Sequence, residues 1–169
     1  KIHNLKLAAK TMNFLTEHQI EQYADLVSRI EEISAENEKT ADALKSVEKR
    51  LADMAVLMKH VTTYQKTKPV YEAYRRAKDK DAYRAKQESS LILHEAAVKT
   101  LKAAGITKLP NLAAMQEEYG KLQMQKEALY ADYGKLKKQV KEYDVIKQNI
   151  DNILRQGKEP ERKKGKERE

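Results

Sequence analysis

The residues best suited to chemistry lie in one basic, tyrosine-rich stretch, from Lys66 to Lys86. This stretch holds eight lysines and arginines against three acidic residues, with three tyrosines interleaved. Cations neutralise phosphates and tyrosine rings can stack on exposed bases. The stretch therefore predicts a nucleic-acid-binding surface made of Lys66, Lys68, Tyr71, Tyr74, Arg75, Arg76, Lys78, Lys80, Tyr83, Arg84 and Lys86. The competing interpretation is that the tyrosines pack a helical insert onto the tip of a helical hairpin and the cations keep it soluble.

The other residues with chemical potential do not form a catalytic pattern. The histidines are scattered, at His3, His18, His60 and His94. His94-Glu95 resembles the start of a zinc-protease helix, but Val98 stands where the second histidine is required. The sequence has no glycine-rich phosphate loop, no cysteine and no suggestion of a Ser-His-Asp set. It therefore predicts a non-enzymatic chain with no catalytic residue, no cofactor and no metal site.

The composition is that of long helices. The 169 residues have a mean hydropathy of −0.84 and 36% charged side chains, with only five glycines and three prolines. The formal net charge of +8 permits a polyanionic partner. No apolar run approaches the length of a membrane span, so no membrane partner is expected. The chain starts at Lys1 and enters a helical pattern directly, which we interpret as a fragment of a longer protein.

Two long stretches carry a seam of apolar residues that alternate three and four positions apart. The first runs from Tyr23 to Gln65, interrupted by Asn37 and Thr40, and the second from Leu112 to Leu154. This spacing is typical of coiled coils. Folding back would place Tyr23 opposite Leu154, Gln65 opposite Leu112 and Asn37 opposite Val140. The predicted fold class is all-α, a long antiparallel coiled-coil hairpin.

Smaller elements complete the prediction. We expect one helical domain over 1–156, with a short N-terminal helix (1–18) near the base of the hairpin, long helices over 20–67 and 111–156, and a helical insert (69–104) at its tip. The first long helix should break before Pro69, which disfavours helical geometry in the preceding residue. Residues 157–169, ten of them charged, should be a disordered tail.

Several local features specify turns and faces. Thr67 or Lys68 should cap the helix that begins near Pro69, and Asp81 should cap the next helix. Gly105 should end that helix, and Asn111 should cap the last one. In the N-terminal helix, the stripe Leu5, Ala8, Ala9, Met12 and Leu15 should be buried, with Phe14 beside it.

A 14-residue repeat places two glycines inside the second long helix. Tyr119-Gly120-Lys121-Leu122 recurs as Tyr133-Gly134-Lys135-Leu136. A glycine inside a helix destabilises it by about 1 kcal/mol relative to alanine. The pair therefore indicates either a close approach by another element or ordinary variation at a surface position.

Three stretches give the chain a family resemblance. Lys6 to Ile20 (KLAAKTMNFLTEHQI), Glu48 to Arg75 and Leu91 to Tyr119 resemble the C-terminal region of relaxase/mobilisation nucleases from conjugative transposons of Gram-positive gut bacteria. At the turn before Ile20 the resemblance predicts Asn-Gly, where this chain has His18-Gln19. The similarity lies in helical segments and not in a catalytic signature.

The resemblance implies a role in conjugative transfer. The parent protein would be a metal-dependent DNA strand-transferase and endonuclease, whose nuclease residues belong to a preceding domain. This chain would be its non-catalytic accessory domain, with transfer DNA, relaxosome proteins or the coupling protein as partners, in the bacterial cytoplasm. The alternative is a structural coiled-coil spacer or dimerisation module of a larger bacterial protein. We expect a monomer or a weak homodimer.

Overall fold

A computed structural model of the chain describes the backbone of residues 1–164 and the side chains of residues 1–156. Within these residues the chain forms five α-helices and no strand, so the predicted all-α class is confirmed. The helices are α1 (Ile2–Glu17), α2 (Tyr23–Arg76), α3 (Lys80–Lys86), α4 (Glu88–Ala103) and α5 (Leu112–Lys164). They divide into a first unit, Lys1–Ala43 with Leu129–Glu169, and a second unit, Leu44–Ala128.

The first unit packs α1 against the start of α2 and the later part of α5. Its buried core comprises Phe14, Ile20, Leu26, Tyr143 and Ile146. The aromatic rings of Phe14 and Tyr143 pack edge to face, with their centroids 4.9 Å apart. Such contacts bury large apolar areas with a defined geometry, so they fix how α1 sits on α5.

The buried face of α1 differs from the predicted one. Leu5 and Met12, expected in the buried stripe, are 70% and 62% exposed, whereas Phe14 and Thr11 are buried. The amide of Asn149 donates to the Thr11 hydroxyl at 3.3 Å, so this polar residue has a partner in the interface. Helix α1 has two apolar faces, and the one with the large aromatic ring is the one that packs against α5.

The second unit brings together the second half of α2, α4 and the start of α5. Val61, Leu101 and Met115, one from each helix, form its core. The long helices are also joined here by exposed ion pairs, Glu48–Lys126 at 3.7 Å and Arg50–Glu118 at 3.3 Å. Exposed pairs of this kind add little stability, so apolar packing holds the unit together.

Within each unit, α2 and α5 run antiparallel. In the first unit, Tyr23 donates to Asp151, and Leu26, further along α2, packs with Ile146, which is earlier in α5. In the second unit, Glu48 pairs with Lys126, and Val61 shares a core with Met115. The predicted seam is not buried at one end: Tyr23 is 42% exposed and its expected partner, Leu154, is 55% exposed.

The predicted break before Pro69 is wrong. Helix α2 continues through Pro69 to Arg76, so neither Thr67 nor Lys68 caps a new helix, and the insert begins later than residue 69. A proline inside a helix removes one backbone hydrogen bond and destabilises the helix by about 3 kcal/mol. Contacts made by the residues beyond it, above all Tyr71, offset this loss, as described below.

The residues that bound the connections agree with the predictions, except at the N-cap of α3. The N-cap of α3 is Asp79, whose carboxylate accepts from the Ala82 N–H at 3.0 Å, and not Asp81. Gly105 ends the α4 turn with a positive φ of 75°, as expected. Asn111 caps α5 by accepting from the N–H of Ala113 and of Ala114.

The end of α5 lies further along the chain than predicted. The helix continues to Lys164, beyond the predicted end at residue 156, and the disorder of the tail stays a prediction. Residues 165–169 of the predicted tail lie outside the described part of the chain.

Candidate nucleic-acid interface

An aromatic stack joins α4 to α2 and positions the basic stretch. The ring of His94 lies between those of Tyr64 and Tyr71, with centroids 5.0 Å and 4.5 Å away and interplanar angles of 30° and 20°. The two tyrosines are seven residues apart on α2, about 10.5 Å along the helix axis. This distance is enough for one aromatic ring to stack between the two tyrosine rings. The stack therefore fixes the position of α4 along α2.

The inserted His94 is held by one hydrogen bond. Its Nδ1 atom lies 2.8 Å from the Thr67 hydroxyl, and the residue is 3% exposed. The Thr67 hydroxyl donates its only proton to the Thr63 carbonyl at 2.7 Å. With that proton engaged, the favoured tautomer of His94 carries its hydrogen on Nδ1 and donates it to Thr67. Because burial disfavours the charged form, it lowers the pKa of His94, and the neutral ring acts as a packing element.

The three tyrosines of the predicted surface continue this stack. The Tyr74 ring centroid lies 6.2 Å from that of Tyr71 and 6.4 Å from that of Tyr83. The Tyr83 hydroxyl donates to the Val70 carbonyl at 3.3 Å, one residue after Pro69. All three tyrosines are half-buried. They pack α3 and α4 onto α2, as the competing interpretation proposed, and base stacking by their exposed parts stays a prediction.

Two of the eight cations in the stretch have carboxylate partners. The Arg84 guanidinium lies 5.0 Å from the centre of the Tyr74 ring and 2.6 Å from a Glu95 carboxylate oxygen. The hydrogen bond to Glu95 raises the pKa of Arg84. Lys68 lies 4.0 Å from Glu72, one turn along α2. These two cations are committed to contacts within the second unit.

The other six cations are exposed, and none has an ion-pair partner among the side chains of residues 1–156. They come from the end of α2, the connection after it, and α3. We call this set the basic surface; it consists of Lys66, Arg75, Arg76, Lys78, Lys80 and Lys86. Cations free of carboxylate partners can contact phosphates without first breaking an ion pair.

Four residues near this surface were not part of the predicted set. Tyr64, His94, Lys99 and Lys102 line one furrow together with Arg75. The sequence held part of the signal, because His94, Val98 and Lys102 recur every four residues and so share a face of α4. Their proximity to Arg75 depends on how α4 lies on α2, which periodicity alone does not specify.

The described residues offer no other obvious chemistry. No group of three or more His, Asp or Glu side chains among them is arranged to hold a metal ion. None of the helices, over the part that is described, has a segment long and apolar enough to cross a membrane.

Comparisons of the chain with models of protein families, with curated proteins and with solved structures found no match.

Proposed function

We propose that this chain is a non-catalytic helical module that contacts DNA through the basic surface of its second unit. The observation that carries the proposal is the set of six exposed cations without described carboxylate partners. They lie on elements anchored by the aromatic stack, so their backbones are held in place while their side chains remain free to reach phosphates. Such a surface binds DNA by neutralising phosphates and releasing counterions, with little dependence on sequence.

The resemblance to the C-terminal region of relaxases supplies the biological setting of this proposal. In that setting the module belongs to a DNA strand-transferase that acts in conjugative transfer in the bacterial cytoplasm, and the contacted DNA is the transferred DNA. Relaxosome proteins and the coupling protein are further proposed partners. An acidic surface on either protein would complement the basic surface in the same way as a phosphate backbone.

A filter-binding assay tests the DNA contact. We expect the double variant Arg76→Ala plus Lys78→Ala to bind DNA several-fold more weakly than the unchanged chain at low salt. The matched control is Lys45→Ala plus Lys49→Ala, which removes two exposed cations from α2 outside the basic surface. Equal loss in both double variants would show that net charge alone governs binding, and this outcome would contradict the proposed surface.

A second candidate function is a structural dimerisation module. It is favoured by the exposed apolar residues of α1, since Ile2, Leu5 and Met12 are 73%, 70% and 62% exposed at helical spacing. Exposed apolar stripes of this kind mark association surfaces. Sedimentation equilibrium separates the candidates. A monomer at all concentrations would contradict dimerisation, whereas a dimer that Leu5→Lys abolishes would support it.

A further inference from the structure

The strongest unassigned feature is a furrow between α2 and α4 in the second unit. It has a volume of about 550 Å³ and is lined by aromatic, cationic and acidic side chains. A volume of this size falls in the range of small-molecule sites. Its lining residues are Tyr64, Tyr71, Glu72, Arg75, His94, Glu95, Val98, Lys99 and Lys102.

The furrow offers a rigid aromatic wall. His94 covers one face of Tyr64 and one face of Tyr71, and its hydrogen bond to Thr67 holds it there. Both tyrosines nevertheless remain partly exposed. Their rings are therefore held in place before any ligand arrives, and a planar ligand would lose little free energy in ordering them. The half-buried Val98 adds an apolar contact to the same furrow.

The charges in the furrow favour an anion. Its two carboxylates are already engaged, Glu72 with Lys68 and Glu95 with Arg84. Arg75 of α2 and Lys99 and Lys102 of α4 are exposed and have no ion pair within the described side chains. Three available cations thus converge from two helices beside the tyrosine rings.

From this combination we infer that the furrow binds a nucleotide. The base would contact the exposed parts of Tyr64 and Tyr71, and the phosphate would be held by Arg75, Lys99 and Lys102. A free phosphate would use only the cations, and an uncharged aromatic compound only the rings. A nucleoside phosphate uses both at once.

The nucleotide can come from two sources. It can be a free mononucleotide, or an unpaired nucleotide of a strand lying on the neighbouring basic surface. The second source rests on the proposed function, whereas the first does not. Base–aromatic stacking in such sites commonly changes affinity about tenfold or more.

Two titrations test the inference and distinguish the sources. The first follows the chemical shifts of the Tyr64 and Tyr71 rings as AMP is added, with inorganic phosphate as the comparison. The second measures affinity for a DNA duplex with one bulged adenosine against the same duplex fully paired. We expect AMP to bind at least tenfold more tightly than phosphate, or the bulged duplex at least tenfold more tightly than the paired one.

Variants link either result to the furrow. Lys99→Ala plus Lys102→Ala should weaken the binding of AMP, or of the bulged duplex, several-fold because it removes two of the three phosphate contacts, while Lys45→Ala plus Lys49→Ala should leave that binding unchanged. A result in which AMP binds no better than phosphate and the bulge gives no gain would overturn the inference. If the paired duplex still binds in that case, the proposed function stands. If no duplex binds but AMP does, the proposed function fails and the nucleotide site remains.

Discussion

The hydroxyl of Thr67 and the imidazole of His94 form a 2.8 Å hydrogen bond that joins α2 to α4 in a buried setting. The two residues are 27 positions apart in the chain, and the bond lies at the centre of the aromatic stack that supports the basic surface. The bond therefore links the two helices that form the stack.

Replacing Thr67 with valine tests the junction. Thr67→Val keeps the shape of the side chain but leaves the Nδ1 hydrogen of His94 buried without an acceptor. Leaving a buried donor unpaired destabilises a protein by about 1–3 kcal/mol, and urea denaturation should show a loss in this range. The control is Thr100→Val, whose hydroxyl bonds only to the Ala96 carbonyl on its own helix and should change stability little. Equal effects would contradict the role given to Thr67.

The buried His94 should also make stability depend on pH. Burial lowers its pKa in the folded chain, so below the ordinary value of about 6.5 the unfolded chain binds the proton more readily. The free energy of unfolding contributed by His94 is therefore complete above that pH and declines as the pH falls below it. Thermal unfolding between pH 7.5 and 5 measures the decline.

The matched variants for this prediction are His94→Phe and His3→Phe. His94→Phe keeps a planar ring between the tyrosines but has no group to protonate, so the decline between pH 7 and 5 should become shallower. His3 is exposed on α1, and its replacement should leave the decline unchanged. An unchanged pH profile in His94→Phe would refute this account of the stack.

Gly120 and Gly134 should both tolerate a methyl group. A Cβ atom built at either position meets no other atom within 4 Å, so the close approach that their repeat suggested is not present in either unit. Each alanine substitution should raise stability by about 1 kcal/mol, because alanine favours the helix. Gly105→Ala should do the opposite, since the positive φ of 75° there strains any residue with a Cβ. Urea denaturation of the three variants measures these changes in the free energy of unfolding.

Asn37 should be replaceable by leucine with a gain in stability. Its side-chain oxygen is buried and has no hydrogen-bond partner among the described residues. Removing an unsatisfied polar group from an apolar seam should stabilise the first unit by about 1 kcal/mol or more. If the asparagine instead sets the pairing of the helices, Asn37→Leu will be more stable but will populate several pairings. Several sets of backbone amide signals in the NMR spectrum of this variant would reveal them.

The sequence alone was sufficient for the parts of the fold that depend on local pattern. The seams predicted both long helices, and Gly105 and Asn111 marked the connection between α4 and α5. The predicted helix break at Pro69 was wrong because contacts to α3 and α4, which lie further along the chain, offset the unfavourable local effect of the proline. This offset cannot be read from the residues around it.

The same limit applies to the site. The basic residues are visible in the sequence, and their exposure follows from their polarity. However, the engagement of Arg84 with Glu95 and the insertion of His94 between two tyrosines depend on the register of α4 against α2. For the same reason Leu5 and Met12 of α1 were expected to be buried, although the face with Phe14 is the one that packs. Periodicity identifies an apolar face but does not choose between two of them.

The salt dependence of DNA binding tests the central claim most directly. The logarithm of the binding constant for a short duplex should fall linearly with the logarithm of salt concentration, with a slope of about 0.9 per phosphate contacted. Arg76→Ala plus Lys78→Ala should reduce the magnitude of this slope by one to two, and Lys45→Ala plus Lys49→Ala should leave it unchanged. No measurable binding at low salt, or one slope shared by all three proteins, would contradict the assignment of DNA contact to the basic surface.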